Sequence, residues 1–156
     1  MPPLVRYTLP GLVLSHVPAR AEDILASYHA RSGSLPPDHA RSIEAAISPA
    51  GQVSVTRCTG YETSGPACTT RTGTADVARI AALHQAVRDS GLLDKPAKKA
   101  PADAIPIGGG STGGSITLDG QTVLLPAFPQ AGDADRVARV LAAITAAIPA
   151  QLIEGN

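Results

Sequence analysis

The sequence predicts an α+β fold. It reads as an antiparallel five-stranded sheet, a three-stranded meander plus a hairpin, with two long helices on one face and a short N-terminal helix. Three observations carry this. Short segments with period-2 alternation are joined by tight-turn residues, as antiparallel neighbours require. Two long segments place apolar residues at helical spacing. Hairpins dominate the connections, which favours helices gathered on one face over the alternating crossovers of a parallel sheet.

The elements follow in order. Glu22 to Arg31 has two acids in a first turn, an Ile24, Leu25 and Tyr28 stripe, and Gly33 as a stop, so it reads as a short helix. Ser34 to His39 is a Pro-Pro linker. Ile43, Ala45 and Ile47 alternate with Ser42, Glu44 and Ala46 and predict a strand. Ser48-Pro-Ala-Gly51 is turn chemistry leading into a second strand, Gln52 to Cys58. A third runs from Cys68 to Thr72. A long helix starts from Thr74 as N-cap and ends near Ser90, with Val77, Ile80, Leu83 and Val87 on one face and Gly91 as a left-handed stop. Lys95 to Gly114 is a long connection rich in Pro, Ala and Gly. Ile116 and Leu118 lead into Asp119-Gly120, a strong hairpin signal, and Val123 and Leu125 lead out. The last helix begins near Asp133, carries Val137, Val140, Leu141, Ile144 and Ile148 as a stripe, and meets Pro149 at its end. The predicted sheet leaves Glu44, Ser54, Thr56, Thr70, Thr72, Thr117 and Thr122 on a polar face.

Cys58 and Cys68, the only cysteines, bracket a loop from Thr59 to Ala67. Pairing Cys58 with Cys68 also pairs Thr56 with Thr70 and Ser54 with Thr72, and points both cysteines to one polar face. That is the geometry a cross-strand disulfide needs. The same register sets Arg71 opposite Val55 on the face to be covered, so either Arg71 lies at a sheet edge or the loop contains a bulge. Two free thiols in a cytosolic hairpin are the competing reading.

Residues 1–21 have the outline of a secretory signal. Arg6 precedes a short apolar run from Leu9 to Val17, and Ala19-Arg20-Ala21 offers small residues for cleavage. A disordered or strand-like arm is the alternative. Residues 22–156 are expected to form a single α+β domain of ordinary size. Signal and disulfide together point to a periplasmic or secreted protein; free thiols and an uncleaved arm point instead to the cytoplasm.

Composition narrows function by exclusion. The 156 residues carry 13 basic and 13 acidic groups, and only three Tyr and one Phe, without Trp. A neutral chain with so few aromatic faces is a poor reader of nucleic acid or sugars. No apolar run is long enough for membrane insertion by a helix. Gly108 to Ser115 matches both a nucleophile-elbow pattern around Ser111 and a dinucleotide fingerprint. Each pattern needs a strand before it and a helix after it, whereas here a strand follows, so the segment reads as a flexible loop. His16, His29, His39 and His84 match no zinc spacing, and His84 reads as an edge-of-core residue beside Ile80 and Val87. Neither a catalytic residue, a metal site nor a cofactor is expected.

The remaining candidates are Tyr61 and Glu62, at the tip of the cysteine loop, as a binding pair; exposed tyrosines on tethered loops make good interface anchors. From Ser54 to Ile148 the order of meander, helix, Asp-Gly hairpin and final helix resembles the emfourin family of small metallopeptidase inhibitors. The resemblance lies in element order and assigns no residue; it implies a protein partner, a protease. The leading expectation is therefore an exported, non-enzymatic binding or inhibitor-like module. A cytosolic accessory subunit and a small enzyme using Ser111 are the alternatives.

Overall fold

The computed structural model describes residues 24–154, so the signal-like residues 1–21 lie outside the described part. Six strands form one antiparallel sheet: β1 (Ala26–Arg31), β2 (Arg41–Ile47), β3 (Gln52–Thr59), β4 (Ala67–Thr74), β5 (Ser111–Leu118) and β6 (Gln121–Leu125), in the spatial order β4-β3-β2-β1-β5-β6. Among the described residues three α-helices accompany them: α1 (Val77–Ser90), α2 (Ala134–Ala147) and the short α3 (Ala150–Glu154). The α+β class and antiparallel sheet match the sequence reading. The strand count and the N-terminal helix do not.

The correction lies at β1. Residues 26–31 are the strand that joins the meander to the second hairpin, pairing Tyr28 with Ala45 on one side and Gly114 on the other. Ala26, Tyr28 and Ala30 point toward the helices while Ser27, His29 and Arg31 point away, a period-2 pattern that the flanking acids and Gly33 obscure. Pairing on both sides supplies long-range hydrogen bonds that outweigh the weak local helix preference.

A second correction concerns the glycine segment. Residues 111–115 are strand, not flexible loop. A Cβ on Gly114 would stand 2.1 Å from the Ser27 carbonyl oxygen, so the backbones of β1 and β5 approach closer there than any side chain permits. Gly113 is as tightly placed, with the Leu125 carbonyl oxygen 2.8 Å from its added Cβ, so neither position has room for a side chain.

The meander follows the expected register: Cys58 faces Cys68, Thr56 faces Thr70 and Ser54 faces Thr72. The disulfide is formed, with a Cα separation of 4.1 Å. The register runs without a bulge, so Arg71 opposes Val55 on a strand that ends the sheet.

All helices cover one face. Ile47, Val53, Val55, Ile116, Leu118, Val123 and Leu125 from the sheet meet Leu83, Val87, Val137, Val140, Ile144 and Ile148 from the helices in one aliphatic core. α1 starts two residues later than expected: Asp76, not Thr74, is the N-cap, its carboxylate accepting from the Ala78 N–H at 2.7 Å. Gly91 ends it at φ 66°, as the sequence predicts. His84 takes up the edge-of-core position expected of it, with Nε2 buried and unpartnered among the described residues. α3 was not expected; beyond Pro149 it lays Leu152 against Gly73 of β4.

One polar cluster ties the long 91–110 connection to the helices. Asp133 accepts from the Lys98 backbone N–H at 2.9 Å and from Arg136 at 2.5 Å. Arg136 also donates to the carbonyls of Ser90 and Lys95. Asp133 is nearly buried, and the Lys98 N–H first, then the Arg136 guanidinium, hold its carboxyl below the ordinary carboxylate value.

Candidate binding face and loop end

Because the helices occupy one side, the other face of the sheet is open. Its strands present Ser27, His29 and Arg31 from β1, Glu44 from β2, Ser54 and Thr56 from β3, Thr70 and Thr72 from β4, and Ser115 and Thr117 from β5. The Ser/Thr-rich face read from sequence is this one. Its hydroxyls pair across strands: Thr56 with Thr70 at 2.9 Å, Thr117 with Thr122 at 2.9 Å, and Ser27 with Ser115 at 2.8 Å. Such pairs stiffen a sheet surface and keep it polar without bringing charge to it.

The centre of the face is a shallow depression of about 580 Å³ lined by His29, Arg31, Glu44, Ser54, Thr56 and Ser111, among others. Its floor depends on Gly113: a Cβ there would come within 2.9 Å of the His29 imidazole, which lies across that position.

A second groove of about 450 Å³ continues from it to the loop end of the sheet, and Arg31 and Ser111 line both. The turn after β1 forms one wall and rests on the glycine segment, with the Ser34 N–H donating to the Gly108 carbonyl at 3.1 Å. The disulfide loop forms the other. Tyr61 and Glu62 both line this groove. The Tyr61 hydroxyl donates to the Leu35 carbonyl, and Glu62 lies 3.2 Å from the Arg31 guanidinium, which also has Glu44 at 3.9 Å. Tyr61 is therefore laid across the loop end rather than projected from a free tip.

Tyr61 lines this groove, and two further apolar side chains are exposed on the segments next to it. Leu35, Tyr61 and Ile107 are all exposed, Ile107 completely so, and the Tyr61–Leu35 and Ser34–Gly108 bonds bring their three segments together. Exposed apolar side chains on neighbouring segments beside a charged pair, on loops tied by a disulfide and by a glycine-packed strand, are an arrangement suited to gripping a protein surface.

Ser111 opens β5 opposite Arg31, and a strand rather than a helix follows it, so the helix N-terminus that a nucleophile elbow requires is not at this position. Among the described residues no group of three His, Cys, Asp or Glu side chains comes together to hold a metal, and no helix is long and apolar enough to cross a membrane. The sequence reading named Tyr61 and Glu62 but missed Arg31, His29, Leu35 and Ile107. The Ser27, His29, Arg31 alternation was the signal that could have found the first two.

No protein-family model matches the chain, and no curated protein is significantly similar to it.

Proposed function

We propose that this protein is an exported, non-enzymatic recognition module that binds a protein partner through the loop end built from residues 31–35, 60–63 and 107–111. The observation that carries this reading is a groove lined by Tyr61 and the Arg31–Glu62 pair, with Leu35 and Ile107 exposed on the segments that hydrogen bonds join to it at the same end of the sheet. Interfaces draw their affinity from a few such anchors, and pre-fixed loops lose less entropy on binding. The resemblance in element order to small metallopeptidase inhibitors makes a protease the partner class to test first. The disulfide supports an oxidising compartment and with it the signal reading of residues 1–21.

Affinity capture with the mature protein, compared with Leu35→Ser, Ile107→Ser and Arg31→Ala, tests the site. These side chains are exposed, so the fold tolerates the changes. The proposal expects a specific bound protein, lost or at least tenfold weakened in these variants and retained by Arg139→Ala on α2. Equal capture by all variants contradicts it. Intact mass from the native host tests export: loss of the first 21 residues is expected, and retention of Met1 to Ala21 overturns that part.

A further inference from the structure

β4 is the longer of the two strands that end the sheet, with eight residues against five in β6. Its hydrogen-bonding polarity follows from two observations. The Ala75 N–H donates to the Gly51 carbonyl at 2.8 Å, so the odd-numbered positions of β4 exchange bonds with β3. The 4.1 Å Cα separation at Cys58–Cys68 is that of a non-hydrogen-bonded pair, so the even-numbered positions do not. The N–H and C=O groups of Cys68, Thr70 and Thr72 therefore face outward, and among the described residues nothing pairs with them.

Proteins usually blunt such an edge with proline, a bulge, short length or inward-pointing charge. β4 has no proline and an unbroken register, and its single charge is Arg71. The disulfide fastens it to β3 near its start.

We propose that β4 pairs antiparallel with β4 of a second copy, about a two-fold axis at Thr70, joining the two sheets into one. Of the self-pairings that match outward groups to outward groups, an axis at Arg71 sets like charges opposite each other, which is destabilising. An axis at Thr72 leaves Cys68 and Thr69 beyond the end of the partner strand. An axis at Thr70 pairs Cys68 with Thr72 of the other copy, each pair exchanging both backbone bonds, and sets Arg71 against Thr69. It also extends the Thr56–Thr70 hydroxyl ladder, already formed at 2.9 Å, across the axis. Loss of residues 1–21 removes Arg6 and Arg20 and leaves 11 basic against 13 acidic groups, a net charge of −2 and so only weak long-range repulsion between copies. The two loop ends then point away from each other, both accessible, so this inference stands whether or not the partner-binding reading does.

Sedimentation of the mature oxidised protein across roughly 1 µM to 0.5 mM tests it. The expected result is a monomer–dimer equilibrium. Thr72→Pro removes an outward N–H that β3 does not use, and Thr70→Lys places like charges on the axis; each is expected to weaken the dimer at least tenfold. A circular-dichroism spectrum and an intact disulfide confirm that both variants fold. A wild-type monomer throughout the range overturns the proposal. So does a dimer indifferent to both substitutions, or a growing series of larger species, since a two-fold contact closes on itself.

Discussion

Replacing Gly114 by alanine separates the two readings of the glycine segment by sign. If residues 108–115 were a flexible loop, Gly→Ala would stabilise the protein by roughly 0.4–1 kcal/mol through the unfolded chain. In the structure the added Cβ falls 2.1 Å from the Ser27 carbonyl oxygen and 3.3 Å from the Tyr28 Cα, both of them backbone. No rotamer change relieves such a contact, so β1 and β5 must part by more than an ångström at the centre of the sheet. Overpacking strain of about 2 kcal/mol and the weakening of about two backbone hydrogen bonds at about 1 kcal/mol each give a loss near 4 kcal/mol. That is a large part of the total stability of an ordinary domain. Urea unfolding of the oxidised protein, with Gly132→Ala as control, measures it. Gly132 has nothing within 4 Å of its added Cβ, and its variant should stay within about 0.5 kcal/mol of wild type. A Gly114→Ala protein as stable as the control would refute the close β1–β5 packing and the central place given to β1.

Two further perturbations probe the supports of the site. Reduction of the Cys58–Cys68 bridge, with a sequence separation of 10, releases unfolded-chain entropy worth about 3 kcal/mol in the loop-closure model. For a chain of this size that lowers the midpoint by roughly 6–12 °C in a thermal scan with and without a phosphine reductant; a change below about 2 °C would contradict a structural role for the bridge. Asp133 has a folded pKa below its unfolded value, so its contribution is fully present above about pH 4 and fades as pH falls through the folded value. Asp133→Asn should flatten that part of the acid unfolding curve, and an unchanged acid limb would show that the cluster with Lys98 and Arg136 does not couple to folding.

Much of the meander was legible in the sequence because its information is local. Alternation of Val53 and Val55 with Ser54 and Thr56, the proline–glycine turn at 49–51 and the cysteine spacing fixed strands, register and disulfide together. The Asp119-Gly120 hairpin and the two amphipathic helices were equally plain. β1 was not, because Glu22, Asp23 and Gly33 imitate helix ends while the forces that make residues 26–31 a strand come from β2 and β5, distant in sequence. The glycine segment misled for a related reason: its composition signals freedom, whereas its function is to let two backbones touch. The loop-end cluster was only half visible. Tyr61 stood out as an aromatic in a tethered loop, but its company with Leu35, Ile107 and Arg31 depends on the turn after β1 folding onto Gly108.

The central claim is that the loop end of the uncovered sheet, where Arg31 lies between Glu62 and Glu44, and not the helical layer, meets the partner. Carbodiimide labelling of carboxylates tests it most directly, because the Glu44 and Glu62 side chains are 62% and 82% exposed in the chain by itself. With the captured partner bound, labelling of Glu44 and Glu62 should fall several-fold while Asp89 on α1 keeps its reactivity. Protection of Asp89, with Glu44 and Glu62 still fully labelled, would place the interface on the helices and contradict the account.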